Sequence, residues 1–305
     1  MCCLFGILDY GHKLSRKEKT KILSVLSVAC EERGTDATGI AYNTGSSLKV
    51  YKRPLPAHLL WFRIFEDTNV VMGHTRMTTQ GSERFNANNH PFAGRAGDTT
   101  FALAHNGVLS NDKRLRRQHD LPATKIETDS YIAVQLLEAS GELSFASLAS
   151  MAEKLEGSFT ITVMTDDNSL YCIKGDNPFC LYHYERLGVY IYASTEQILK
   201  TALKQLNLKL GKPTKIKLVC GEILKIDAEG HITRSQFDDT NLFMGYSHWP
   251  RYYSRPAVWE PSPNETYLAE LKAVAAYYGI YEDEIDEMLA DGVTPEEIEE
   301  LLNGA

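Results

Sequence analysis

Four short runs rich in β-branched, aromatic and apolar residues follow one another in the second half of the chain: Phe159 to Met164, Leu170 to Lys174, Leu181 to Tyr184 and Val189 to Ala193. Only four to six residues separate each run from the next. A parallel pairing needs a crossover of a dozen or more residues, so neighbours this close can pair only antiparallel. The spacing predicts an antiparallel meander.

The rest of the pattern comes in blocks around it. Cys3 to Leu8 reads as a first strand ended by Asp9-Tyr10-Gly11. Ser15 to Cys30 reads as a helix, with Ser15 and Glu18 forming a capping box and Leu14, Ile22, Leu23, Val25, Leu26 and Ala29 marking its apolar face. Gly39 to Tyr42 and Leu48 to Tyr51 suggest a hairpin, and Val70 to Gly73 and Phe101 to Ala104 two short buried strands. Helices are expected over about Asp129 to Glu138, Phe145 to Leu155 and Thr195 to Leu206, and a closing strand near Glu222 to Ile226. Strands and helices segregated this way predict an α+β fold with sheets packed on each other and helices outside.

The 305 residues suffice for one large domain or two small ones, and at 43% hydrophobic they can bury a sizeable core. The apolar runs are too short to span a membrane, and no charged n-region precedes an apolar segment at the start. The expectation is a cytoplasmic protein without membrane contact. Six scattered cysteines lack paired metal spacing, so no metal and no cofactor is expected, and Cys30, Cys172, Cys180 and Cys220 read as small buried hydrophobes. Of the net charge of −8, residues 281–305 alone carry −10, which leaves +2 on the main body. That balance excludes a broad nucleic-acid footprint. The one basic cluster, Lys113-Arg114-Leu115-Arg116-Arg117, reads as the exposed face of a short helix.

Composition shifts near residue 230. The segment 231–263 is rich in Tyr, Trp, Arg, Ser and Pro and reads as an aromatic linker or strap; 264–305 reads as a small acidic helical tail. In the tail, Ile285, Met288, Leu289, Ile298, Leu301 and Leu302 make an apolar stripe, and Thr294 with Pro295 starts a helix.

The chemistry sits in polar motifs at strand ends. Cys2 can become the first residue once Met1 is removed, and its own α-amine can then act as the base that activates the thiol. Arg33-Gly34-Thr35-Asp36, Gly73-His74-Thr75-Arg76-Met77-Thr78-Thr79-Gln80-Gly81, Asn89-His90-Pro91, His105-Asn106-Gly107 and Glu127-Thr128-Asp129 follow in order. Asn106-Gly107 reads as a turn whose side-chain amide and backbone N–H can hold an oxyanion. Arg76 offers a fork for a carboxylate, and Asp129 a partner for an ammonium.

Together these motifs resemble the class II glutamine amidotransferases, glutaminase domains of the N-terminal nucleophile hydrolase superfamily. The resemblance covers about residues 2–230 and includes Leu155-Glu156-Gly157-Ser158-Phe159, Ala193-Ser194-Thr195 and Gly221-Glu222-Ile223. It implies a four-layer αββα sandwich with a small C-terminal helical segment. It implies Cys2, Asn106 and Gly107 as the catalytic set, and Arg76, Thr79 and Asp129 as binders of L-glutamine. Arg33 and Asp36 would support the nucleophile's surroundings, and His90 and His105 read as structural hydrogen bonders; His74 reads as core. Two departures are visible: Cys3 follows the nucleophile where the family most often has Gly, and Gln80 stands where the synthase branch often has His.

The resemblance implies that the ammonia is used in a second domain, as in the synthases of this family. Here about 75 residues follow the sandwich, without a Gly-rich phosphate loop. The reading is therefore a stand-alone glutaminase subunit that passes ammonia to a separate synthase, with the acidic tail as a docking element or as a helix pair covering the sandwich edge. An amide hydrolase acting on a γ-glutamyl metabolite and a non-catalytic binding module on the same fold are the alternatives. Assembly into a homo-oligomer is left open.

Overall fold

A computed structural model describes residues 2–45, 47–206 and 208–242, and in the C-terminal part 267–268, 271–272, 275, 280, 282–291 and 293–304. The aromatic stretch from Gly245 to Tyr253 lies outside the described residues.

Two antiparallel sheets face each other. The first has seven strands: β1 (Cys3–Asp9), β2 (Ala37–Thr44), β3 (Ser47–Arg53), β4 (Val70–Arg76), β9 (Cys180–Tyr184), β10 (Val189–Ala193) and β11 (Thr214–Ile216), in the order β11-β9-β10-β1-β4-β2-β3. The second has six: β5 (Phe92–Ala96), β6 (Thr99–Leu109), β7 (Gly157–Thr165), β8 (Leu170–Lys174), β12 (Glu222–Ile226) and β13 (Ile232–Gln236), in the order β13-β12-β8-β7-β6-β5.

The inner strands are buried on both faces, and their side chains alternate between two different cores. On β1, Cys3, Phe5 and Ile7 point to the layer of helices α1 (Arg16–Ala29) and α5 (Glu196–Lys204), while Leu4 and Leu8 point between the sheets. On β7, Phe159, Ile161 and Val163 face the layer of α3 (Tyr131–Ser140) and α4 (Phe145–Lys154), while Met164 faces inward. The result is the four-layer αββα sandwich expected from the motifs. The capping box of α1 is present: Glu18 N donates to Ser15 Oγ at 3.3 Å and Ser15 N donates to Glu18 Oε2 at 2.9 Å. The basic cluster lies on the short helix α2 (Asp112–Gln118), which buries only Leu115 and Asp112.

Three expectations are corrected. The meander is not one sheet. β7 and β8 form a hairpin in the second sheet, β9 and β10 one in the first, and residues 175–179 cross between them. The free edge of β8 is taken by β12, and the crossing is fixed by side chains instead of a ladder: Phe159 N donates to Asp176 Oδ1 at 2.8 Å, and Asn177 Nδ2 to Asn106 O at 2.8 Å. Pro178, without an N–H, suits such a break. Second, Asn106-Gly107 is not a turn. β6 runs on to Leu109, pairing Asn106 with Thr160 and Gly107 with Phe159. Third, Leu301 is 61% exposed and lies off the tail's apolar stripe.

The second sheet also extends past residue 230: β13 pairs with β12, and Phe237 and Leu242 join the core under α4. In the tail, α6 (Glu282–Ala290) and α7 (Pro295–Gly304) pack with Leu271 and Ala275, and Glu297 N donates to the capping Thr294 Oγ1 at 3.3 Å. No helix among the described residues is long and apolar enough to cross a membrane.

Candidate active site

Cys2 stands immediately before β1, a strand held by β10 on one side and β4 on the other. Register fixes what lies beside it: Cys3 pairs with Thr75, so Cys2 falls level with the end of β4, where Arg76 and Met77 lead out of the sheet. The Cys2 thiol donates to Met77 O at 3.4 Å, and Arg33 Nε donates to Cys2 O at 3.0 Å. Asp36 fastens the same strand end from outside: its N–H donates to Arg76 O at 2.9 Å, and its Oδ2 accepts from Thr78 N at 2.6 Å. Arg33 and Asp36 thus hold the backbone around Cys2 without lining the cleft.

A narrow cleft of about 240 Å³, part of it open to solvent, begins at this thiol. Cys2, Arg76, Thr79, Gly107, Asp129, His90 and His105 all line it. Seven of the ten residues read from the sequence as site residues therefore share one wall. Asn106 is fully buried behind it. Its Nδ2 donates to Ser194 Oγ at 3.3 Å, and the same oxygen accepts from Leu4 N at 2.8 Å, which ties Asn106 to the strand carrying the nucleophile. Gly107 is required where it stands. Its φ is +133°, and a Cβ would lie 2.0 Å from Ser158 O.

Arg76 is buried, and its guanidinium is aimed by three acceptors: Asn89 Oδ1 at 2.7 Å, Gln80 O at 2.6 Å and Gly81 O at 3.0 Å. Burial lowers its pKa, and the charges of Cys2, Asp36 and Asp129 oppose that shift. Asp129, also buried, accepts from Leu109 N at 2.6 Å and Ser130 N at 2.8 Å. Ser130 Oγ lies 2.7 Å from His105 Nδ1 and donates to Asp129 Oδ1 at 3.3 Å, so His105 reaches the carboxylate through one hydroxyl.

Under the cleft, His74, His90 and Phe92 stack, with ring centroids 4.2 and 4.4 Å apart. Burial pushes His74 down to about 3 and His90 well below its ordinary value, so both rings are neutral near pH 7. His74 Nε2 bonds His105 O at 2.9 Å. The expected hydrogen bonding of His90 is absent: neither of its ring nitrogens has a partner among the described residues. Lys52 Nζ donates to Asn89 O, and burial together with the nearby Arg76 lowers its pKa to about 8.

The residues that sequence reading missed are connectors: Ser194, Ser130, Asn89 and Asn177. Three of them sit inside or beside motifs already singled out, so their neighbours were the available signal. A thiol, a buried cation and a buried carboxylate on one small cleft can hold a zwitterion and attack an electrophilic carbon beside it.

A two-sheet αββα sandwich with a cysteine directly before its central strand belongs to the class of N-terminal nucleophile hydrolases. Residues 74–201 match the family model described as a glutamine amidotransferase domain. The chain is 30% identical over 287 residues to the isomerizing glutamine–fructose-6-phosphate aminotransferase of Chlamydia muridarum, covering 85% of this chain and 44% of that protein. It is 28% identical to the amidophosphoribosyltransferase of Methanocaldococcus jannaschii, covering 78% and 49%. Among solved structures, the glutamine phosphoribosylpyrophosphate amidotransferase from B. subtilis, complexed with ADP and GMP, superposes with a TM-score of 0.62 at 21% identity, over 79% of this chain and 50% of that one. The chain thus spans about half the length of the relatives it matches. It carries a class II glutamine amidotransferase domain.

Proposed function

We propose that the chain hydrolyses L-glutamine to L-glutamate and ammonia through a γ-glutamyl thioester on Cys2, and that the ammonia passes to a separate acceptor protein. The observation that carries this reading is the convergence of the Cys2 thiol, Arg76 and Asp129 on one cleft. Arg76 takes the substrate α-carboxylate and Asp129 its α-ammonium, with Thr79 beside them. With Met1 removed, the α-amine of Cys2 takes the thiol proton. The thiolate attacks the side-chain amide carbon, and the oxyanion is held by the Gly107 N–H and the Asn106 amide. The proton then goes to the departing nitrogen, the carbon–nitrogen bond breaks and ammonia leaves. Water, deprotonated by the same amine, cleaves the thioester to glutamate and restores the thiol.

The test is glutamate and ammonia release by Met1-processed protein, with mass-spectrometric detection of Cys2 alkylated by a glutamine-like electrophile. Turnover should vanish in Cys2→Ser. Parental protein with a free Cys2 amine that neither turns over glutamine nor is labelled at Cys2 would overturn the reading.

A further inference from the structure

The acidic tail was expected to reach outward to a partner or to cover an edge. Its apolar face packs on the sandwich beside the cleft. Leu271, Ala275, Ile285 and Ile298 are all buried in a cluster of their own, and the sandwich residue buried with them is Met77. Val108 packs against the same cluster. Neither residue is incidental to the site. Met77 lines the cleft and its carbonyl accepts from the Cys2 thiol, while Val108 follows Gly107. Met77 leaves the end of β4 in the first sheet; Val108 lies in β6 of the second. The tail therefore bridges the two sheets at the end of the sandwich where the cleft opens.

The tail is also tied within itself. Lys272 Nζ pairs with Asp286 at 2.6 Å, and Tyr267 donates to Glu299, which link Lys272 to α6 and Tyr267 to α7. A linked unit of this kind releases or holds both walls together.

We propose that the C-terminal helices are a positioning element of the active site: they clip the Met77 and Val108 walls together, keep Met77 O on the Cys2 thiol, and set how tightly the cleft grips an amino acid. The proposal rests on the glutaminase reading for its substrate, but the clip itself can be read without turnover.

Ile285→Asp places a charge in the buried cluster, and Ile285→Ala is the milder companion should the first disturb folding. In the full-length chain both should raise KM for glutamine, Ile285→Asp by about tenfold or more, with a smaller change in kcat. Both should speed alkylation of Cys2 by iodoacetamide, followed on the Cys2 peptide. Leu301→Asp, at the exposed position, should leave KM and alkylation at parental values. KM and alkylation rates within about twofold of the parent in both Ile285 variants would overturn the clip. If the parent itself does not hydrolyse glutamine, the substrate reading fails, and the alkylation rates alone decide the clip.

Discussion

β4 and β6 each change character halfway along. β4 begins Val70-Val71-Met72 and ends His74-Thr75-Arg76; within β6, apolar Phe101 to Ala104 gives way to His105-Asn106-Gly107. The two changes lie side by side, because His74 Nε2 bonds His105 O at 2.9 Å across the sheets. One end of the space between the sheets is apolar, filled by Leu8, Met72, Ala102, Ala104, Met164 and Leu170. The other end holds His74, Arg76, Asn106 and Thr160, all buried. An apolar side chain needs only volume around it, whereas each buried polar atom needs a partner. The polar end leaves some unmatched: Asn106 Oδ1, Asn177 Oδ1 and the His90 nitrogens have none among the described residues. The fold is held at one end and gathers its polar groups at the other.

Substitutions can test that division. Gly107→Ala should have the largest effect, because a Cβ there collides with Ser158 O and Asn177 Nδ2 at a φ of +133°. Loss of a placed oxyanion donor should lower kcat by roughly 100-fold or more, with a loss of stability on top. Steady-state kinetics with urea denaturation would read both, and a variant with parental kcat would remove Gly107 from the chemistry. Met72→Ala, at the apolar end, should cost about 3 kcal/mol of stability and leave KM for glutamine unchanged. A raised KM would mean that the two ends are coupled.

Asp176, in the crossing segment beside Asn177, should give a smaller, pH-dependent effect. Burial raises its pKa from 3.8 to about 6. A carboxyl whose pKa is raised on folding stabilises the fold below the unfolded value, and that contribution is lost as pH rises through the folded one. Asp176→Asn should therefore match the parent near pH 4 and become the more stable of the two as pH rises to 7, by on the order of 2 kcal/mol. Thermal melts at the two pH values would show it; a gap that does not widen with pH would assign the Asp176 charge a compensating partner.

Much of this division was legible in the sequence. Phe5 and Ile7 alternating with Leu4 and Leu8 identify a strand buried on both faces, and Ser15 with Glu18 fixes where α1 begins. The order of the polar motifs brought seven site residues to one cleft. What was not legible depended on pairing partners. A period of two is the same in either sheet, so the passage from β8 to β9 could not be read from residues 170–184. Edge strands were hidden too, since β11 and β13 are short and largely polar outside their ladders. Asn106-Gly107 looked like a turn because both residues favour turns, while the ladder to β7 overrode that preference. Ser194 and Ser130 lie in or beside motifs, but a single hydroxyl gives no sign of which distant strand it will reach.

The pairing of β1 has a consequence in time. Its two neighbours are β4 and β10, and Phe5 pairs with Ala193, far along the chain. At about 5–20 residues per second, roughly 10–40 s pass before β10 is synthesised. Throughout that interval the residues of β1 lack one flanking strand. Once β10 docks, the same residues are pinned in the middle of a sheet. Completion of the strand that leads from Cys2 thus waits on where in the chain its last partner is encoded.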